Sequence, residues 1–349
     1  MDRRYDIDWI RVIVLGILIF YHAWASFMPF AKSIFMPQNE DFLIPMGIPM
    51  SLINIWRIPI LFMISGMGIF FAMQSRNWKQ MVNDRIKRIF VPMFFGFLFI
   101  GPLTAFFGML FYDEELAWYP SLFHLWFLLN IWVYFCVLLP LFVYLQNRPN
   151  NFLFTKLQSI ISSRFGIYIF ALPFLIEALV IDPQDYPSYA TTLHGWVLGL
   201  ICFTCGFIFV SLKDYFWNAL EKIKNFTLVV AFSLYIYRLL MMELWAPSIF
   251  IAFESFNWMI SILGYSAKYL NQPSKRLDYL SAAVYPIYIL HFPIQYFFSL
   301  YILPLPTSAF IKFILLVLCV FGVSFTIYES IIKRLNWLRP LFGMKLKGK

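Results

Sequence analysis

The chain has 349 residues, of which 61% are hydrophobic, 21% aromatic and only 13% charged. This composition leaves too little polar surface to cover a soluble globule, so it excludes a water-soluble enzyme and indicates an integral membrane protein. The formal net charge is +9. In a polytopic protein such an excess is usually an orientation signal, so we expect no nucleic-acid partner.

Apolar runs recur along the whole chain and predict an all-α transmembrane bundle of about ten helices. Internal prolines such as Pro286 and Pro293 predict kinks in these helices. The connecting loops are too short for a second folded unit, so we expect a single integral-membrane domain over 1–349 without a fused soluble domain. In chain order the predicted spans are 10–29, 48–73, 90–111, 124–145, 165–181, 193–211, 226–245, 247–265, 282–303 and 308–330.

The distribution of charge predicts the orientation of the bundle. With a cytoplasmic N-terminus, most of the 27 basic residues fall in inner loops or in the tail that begins at Lys333. The outer loops are acidic instead, as at Glu40 and Asp41. This asymmetry predicts an even number of spans with both termini in the cytoplasm.

The first span contains the segment "LGILIFYHAWASF", in which His22 follows Arg11 by eleven residues. About three helical turns separate the two residues, so they share one face at roughly 16 Å. A buried interhelical hydrogen bond is the simpler interpretation of a lone membrane histidine. The alternative is a general base, since a neutral imidazole takes a proton near physiological pH.

The second span, "SLINIWRIPILFMISGMGIF", places Arg57 near mid-membrane, too deep for its side chain to reach water easily. Such a guanidinium needs an anionic or carbonyl partner. A bound carboxylate, thioester or phosphate satisfies this need as well as a protein side chain does. Ser65 and Gly66 are small enough to let neighbouring helices approach closely.

The segment "RNWKQMVNDRIKRIFVP" places Arg85 and Arg88 three residues apart at the inner membrane surface. The simpler interpretation is a basic loop that contacts lipid headgroups. The alternative is a binding site for a phosphate-bearing cytosolic ligand, because paired arginines bind phosphate bidentately.

The other three histidines fall at different depths. His124 opens the fourth span in "FHLWFLLNIWVYF", and His291 lies mid-span in "YPIYILHFPIQYFF", between two prolines. His194, at the outer end of the sixth span, is expected to be an ordinary interfacial histidine.

Several of these segments together resemble the membrane-embedded acyltransferase family 3. The matching segments are "DIDWIRV" followed by "YH", then "LFMISGM", "RIKRIFVP", "HLWFLL" and "YPIYILHFP", in this order between residues 6 and 293. Within the family, the sequence looks most like the branch that succinylates periplasmic glucans.

The resemblance implies an enzyme of the bacterial cytoplasmic (inner) membrane. It would move an acetyl or succinyl group from cytoplasmic acyl-CoA to a hydroxyl of an extracytoplasmic carbohydrate or glycan, without a metal. A multi-pass transporter of a sugar or small anion is the alternative, and a homo-oligomer is left open. The implied catalytic residues are His22 and Arg11, and we add Arg57 as our own hypothesis. The donor site would contain Arg85, Arg88 and Ser65. The substrate site would contain His124, Trp126 and His291.

Overall fold

The computed structural model describes residues 3–148, 151–242 and 246–346, and within these ranges the chain forms helices and turns but no β-strand. The all-α prediction is therefore confirmed. The helices are α1 (Tyr5–Ala25), α2 (Gly47–Met73), α3 (Trp78–Tyr112), α4 (Trp126–Gln146), α5 (Phe152–Ser162), α6 (Leu172–Ile181), α7 (Leu193–Ser211), α8 (Asp214–Met241), α9 (Ser248–Tyr269), α10 (Lys275–Ile302) and α11 (Ala309–Ile327).

In the described part of the chain, eight helices are long and apolar enough to cross a membrane, which confirms the multi-pass character. Each of the ten predicted spans overlaps a helix, although the span at 10–29 continues four residues past the end of α1 at Ala25. The span at 165–181 is short, however, and α10 opens on the charged residues Lys275, Arg276 and Asp278. The end of the span at 226–245 lies outside the described residues. The count of ten and the cytoplasmic position of the termini stay predictions.

The helices form two compact units, each assembled from segments that are distant in sequence. The division falls inside helices, for example between Arg11 and Val12 of α1. The single domain over 1–349 stays a prediction. The first unit contains the chain up to Arg11, Ile48–Val82 and Asn130–Pro273, and the second contains Val12–Gly47, Asn83–Leu129 and the chain from Ser274 onward.

In the first unit, α2 and α7 cross in backbone contact. A Cβ atom added to Gly66 would overlap the carbonyl oxygen of Phe203, and one added to Gly206 would overlap the carbonyl oxygen of Met63. Only glycine permits so close a crossing at these two positions. The sequence predicted that neighbouring helices approach closely at Ser65 and Gly66, and the structure confirms this at Gly66.

The first unit also contains a buried ion pair and a buried histidine–carboxylate hydrogen bond that the sequence did not reveal. Arg238 donates two hydrogen bonds to Glu254, of 2.7 and 3.1 Å, and both residues are buried. His194 lies 2.7 Å from Glu177 and 2.9 Å from the Tyr186 carbonyl oxygen, with only 2% of its surface exposed. The interfacial interpretation of His194 is therefore wrong, because its ring bonds to buried protein groups.

In α3, two π-helical turns interrupt the α-helical pattern, at Ile86–Phe90 and Gly96–Ile100. Each turn ends two residues before a proline, Pro92 or Pro102. Proline lacks the N–H that would bond to the carbonyl four residues earlier, so the hydrogen-bond pattern changes there. The preceding residue bonds five residues back instead, as Val91 does to the Ile86 carbonyl oxygen.

Candidate functional site

Three of the four histidines meet in the second unit. His22 lies in the last turn of α1, His124 lies in the 3-10 turn just before α4, and His291 lies near the middle of α10. His291 is fully buried and His124 is 7% exposed, whereas His22 is only half-buried. Of the three imidazoles, that of His22 is therefore the most accessible.

His22 and His291 share a direct hydrogen bond, with 3.0 Å between His22 Nδ1 and His291 Nε2. Their ring planes differ by 6°, and the ring centres are 5.2 Å apart. This separation equals the nitrogen–nitrogen distance plus roughly one ring radius at each end. The rings therefore lie edge to edge in nearly one plane, with the hydrogen bond along the line of centres, which is the favourable geometry.

A backbone carbonyl decides which nitrogens of these rings carry hydrogen. The carbonyl oxygen of Tyr288 lies 2.6 Å from His291 Nδ1 and 3.0 Å from His124 Nε2. Because a carbonyl can only accept, both nitrogens must donate, and neutral His291 keeps its lone pair at Nε2. The facing Nδ1 of His22 must then donate as well. The lone pair of neutral His22 consequently lies at Nε2, the nitrogen that can take a proton.

Two further side chains hold the histidines in place. Gln295 donates from Nε2 to the carbonyl oxygen of His22 at 2.8 Å, and the Tyr288 hydroxyl donates to the carbonyl oxygen of His124 at 2.6 Å. These bonds connect α1 and the turn before α4 to α10. Sequence reasoning missed both residues. Gln295 could have been found, because it is a polar residue in an apolar run, four positions after His291 on the same helix face.

Among the residues that the structure describes, two buried polar atoms of this cluster have no hydrogen-bond partner, His124 Nδ1 and Gln295 Oε1. Both are acceptors, since His124 carries its hydrogen on Nε2 and an amide oxygen has none. Both atoms are closed to solvent in this structure, and neither can donate a hydrogen bond to an anion.

The proposed substrate residue Trp126 lies two residues after His124, at the start of α4. Its indole is half-buried, and its ring centre lies 6.3 Å from that of Phe127. The structure thus brings together His22, His124 and His291, while the role of Trp126 stays a prediction.

Arg11, Arg57 and Ser65 belong to the first unit. Arg11 forms an ion pair with Asp8 at 2.9 Å and donates to the Ile64 carbonyl oxygen at 3.3 Å. Its predicted support of His22 or of the donor stays a prediction.

Arg57 and Ser65 both lie on α2. Arg57 is 3% exposed and donates to Asn54 Oδ1 at 3.0 Å, so its guanidinium is buried, as its depth in the span predicted. The hydroxyl of Ser65 donates to the carbonyl oxygen of Leu61 at 2.7 Å, within its own helix. The proposed roles of both residues stay predictions.

Arg85 and Arg88 lie where α3 changes from an α-helix to the first π turn, and both are half-buried. Arg88 Nε lies 3.2 Å from Asp84 Oδ1. The C-terminal segment packs against this turn, because a Cβ atom added to Gly343 would come within 3.0 Å of the Arg88 carbonyl oxygen. Gly343 has a φ of 68°, a left-handed conformation that glycine adopts without strain.

Comparison with known proteins places this chain in a family. The model of acyltransferase family 3, described as an acyltransferase domain, matches residues 4–329. Glucans biosynthesis protein C of Escherichia coli strain SMS-3-5 is 25% identical over 388 residues, which cover 99% of this chain and 95% of that protein. The protein of the same name from Escherichia coli O1:K1 is 26% identical over 386 residues, with the same coverage. No solved structure gives a significant match.

The family match covers all three clustered histidines and all eight candidate spans except the end of the last one. A match to a single motif would leave the family open, but one over most of the chain does not. The chain therefore belongs to acyltransferase family 3, and it is a multi-pass membrane acyltransferase.

Proposed function

We propose that this enzyme transfers an acetyl or succinyl group from cytoplasmic acyl-CoA to a hydroxyl of an extracytoplasmic carbohydrate, in the cytoplasmic membrane of a bacterium. The observation that carries the proposal is the chain of hydrogen bonds from the Tyr288 carbonyl through His291 to His22. It leaves a lone pair on the most accessible imidazole. The names of the relatives, glucans biosynthesis protein C, support a glucan-like acceptor.

In the proposed reaction, His22 is the general base. Its Nε2 takes the proton of the acceptor hydroxyl while that oxygen attacks the thioester carbonyl carbon. The tetrahedral intermediate then collapses, the carbon–sulfur bond breaks, and the leaving thiolate takes the proton from His22. An ester and free CoA result, and His22 returns to its neutral form.

His291 would support this proton transfer without contacting the substrate. When His22 is protonated, its Nδ1–H continues to donate to His291 Nε2 at 3.0 Å, which keeps the ring oriented. His291 thus occupies the place that a carboxylate occupies beside the histidine of a serine protease. A neutral acceptor stabilises the imidazolium less than a carboxylate does, but its burial costs less.

The carbohydrate substrate would be held by two atoms of the histidine cluster that accept hydrogen bonds and have no partner within the protein. His124 Nδ1 and Gln295 Oε1 are buried and can only accept hydrogen bonds, so they would complement hydroxyl groups next to the one that reacts once the side chains over them move aside. Trp126 would add an aromatic surface for the sugar ring. This match to hydroxyl donors favours a carbohydrate over an anionic substrate.

The donor would be bound through its phosphates by Arg85 and Arg88. We expect Arg88→Gln to weaken acyl-CoA binding about tenfold, because a bidentate charge-assisted contact is lost. The measurement is the dissociation constant of acyl-CoA in detergent solution.

Lys87→Gln is the matched control for the donor site, since Lys87 lies on the same turn and carries the same charge. It should change the affinity for acyl-CoA less than twofold. An equal loss in the two variants would show that the segment only contacts headgroups, as its composition alone suggests.

Arg57 would select the acyl group by binding the free carboxylate of a succinyl donor. We expect Arg57→Gln to lower kcat/KM for succinyl-CoA about tenfold and that for acetyl-CoA far less, because only the succinyl group carries a second anion. Arg57→Lys, which keeps the charge in this buried position, should restore part of the preference. Equal losses with both donors would refute this role.

The test of the overall function uses the purified protein in detergent, labelled acyl-CoA and a glucan acceptor. Release of CoA that depends on the acceptor, together with labelled ester in the glucan, is the expected result. Acceptor flux across proteoliposomes without ester formation would favour the transporter instead. Mass spectrometry of cell-surface glycans, with and without the gene, identifies the natural product.

A further inference from the structure

A cleft of about 770 Å³ opens in the second unit, beside the end of α1 that carries His22. One wall is the loop segment Gln38–Asp41, and the other is the turn Leu303–Ser308 between α10 and α11. Lys312 and Phe111 complete the lining. We call this feature the Lys312 cleft. The histidine mechanism uses none of these residues.

Buried hydrogen bonds hold the two walls of the Lys312 cleft together. Lys312 is 7% exposed, and its Nζ donates to Asn39 Oδ1 at 3.2 Å and to the Leu303 carbonyl oxygen at 2.6 Å. Asn39 is 1% exposed and donates from Nδ2 to the Asp41 carbonyl oxygen at 2.7 Å. The cleft is therefore preformed, and a ligand entering it does not need to order its walls.

The lining has the chemistry of a carbohydrate site. Glu40 and Asp41 are exposed carboxylates that can accept hydrogen bonds from sugar hydroxyls. Thr307 and Ser308 add hydroxyls, and Phe111 adds an aromatic surface for the apolar face of a sugar ring. Two carboxylates against one buried ammonium make the lining net negative, which disfavours an anionic ligand such as a phospholipid headgroup.

Three hydrogen bonds, which pass through Ser26 and Gln295, connect the cleft wall to His22. The amide N–H of Asn39 donates to the Ser26 carbonyl oxygen at 2.8 Å. The hydroxyl of Ser26 accepts from Gln295 Nε2 at 3.2 Å, and the same Nε2 donates to the His22 carbonyl oxygen at 2.8 Å. The backbone of Asn39 is thus bonded to the segment that follows α1, while Asn39 also lines the cleft.

We propose that the Lys312 cleft is a subsite for a neutral oligosaccharide, which binds sugar units of the acceptor other than the one that is acylated. This inference rests on the proposed function and adds a second contact region for the acceptor. A glycan of several units occupies the histidine cluster and the cleft together, whereas a monosaccharide occupies only one of them. Affinity therefore rises with the length of the acceptor.

The test measures binding of linear neutral gluco-oligosaccharides, from glucose to a hexasaccharide, to the full-length protein in nanodiscs without acyl-CoA. Affinity should increase with length for the unmodified protein. The double variant Glu40→Gln/Asp41→Asn should bind the hexasaccharide about tenfold more weakly and lose most of the gain with length, because both charged acceptors are removed.

The matched control is Glu114→Gln/Glu115→Gln, which neutralises two adjacent exposed carboxylates of the same unit that do not line the cleft. Its affinities should stay within about twofold of the unmodified protein. Equal losses in the two double variants, or no gain with length in the unmodified protein, would overturn the proposal. Equally tight binding of a carboxylated hexasaccharide would overturn the assignment to neutral glycans.

The outcomes also separate this inference from the proposed function. If ester formation depends on His22 but oligosaccharide binding ignores Glu40 and Asp41, acyl transfer stands and the subsite is refuted. If binding depends on both carboxylates and on glycan length but no ester forms, the subsite stands and the proposed transfer is refuted.

Discussion

Replacement of His22 by asparagine is expected to lower kcat for acyl transfer about 10³-fold, because the variant has no nitrogen at the position of Nε2. The amide N–H of asparagine can still donate to His291 Nε2, so the hydrogen bond seen at 3.0 Å has a substitute. His22→Ala removes both features. Ester formation measured with labelled acyl-CoA in detergent should be lost in both variants.

Two measurements separate chemistry from folding in this experiment. The affinity of His22→Asn for acyl-CoA and its melting temperature should match those of the unmodified protein. His194→Asn is the comparison, since His194 is a buried histidine of the first unit, bonded to Glu177 at 2.7 Å. It should lower the melting temperature, because Glu177 loses a buried partner, while the folded fraction continues to transfer. Retention of a tenth of the normal kcat in His22→Asn would refute the general base.

Replacement of His291 by leucine is expected to lower kcat about 100-fold, because the Nδ1–H of His22 loses its acceptor and the ring is no longer held in one orientation. His291→Gln should recover part of this loss. A glutamine carbonyl oxygen can take the place of Nε2 and accept from His22 Nδ1. The measurement is kcat and KM for each substrate, compared between His291→Leu and His291→Gln.

The pattern of losses distinguishes positioning from substrate binding at His291. A positioning residue affects kcat and leaves KM for the acceptor nearly unchanged, whereas a substrate-binding residue raises that KM. The sequence resemblance implied a substrate role for His291, but its full burial and its bond to His22 favour positioning. Equal activities of His291→Gln and His291→Leu would contradict the hydrogen-bond mechanism.

The helices could be predicted from the sequence because lipid imposes a length and an apolar character on any segment that crosses it. All ten predicted spans overlap helices, but α10 and the short span at 165–181 fall outside the eight candidates. In α10 the reason is the polar residues in the interior of the helix, among them the buried His291 and Gln295. These residues lower the hydropathy of the helix that carries most of the site.

The candidate site was predictable one helix at a time. His22 stood out because an imidazole in an apolar span is expensive, and Arg57 for the same reason. Periodicity shows which residues share one face of a helix. It does not show which other helix packs against that face. His194 illustrates the limit, since nothing in its local sequence indicates that Glu177 lies 2.7 Å away on another helix.

The sequence by itself determined a multi-pass helical enzyme of the acyltransferase family with His22 as its candidate base, because hydropathy, charge and motif order are local properties of the chain. Only the tertiary structure decided that His22 bonds to His291, 269 residues away, and that the Tyr288 carbonyl oxygen accepts from two imidazoles. These contacts join separate helices, and their hydrogen bonds determine which nitrogen of His22 can take a proton.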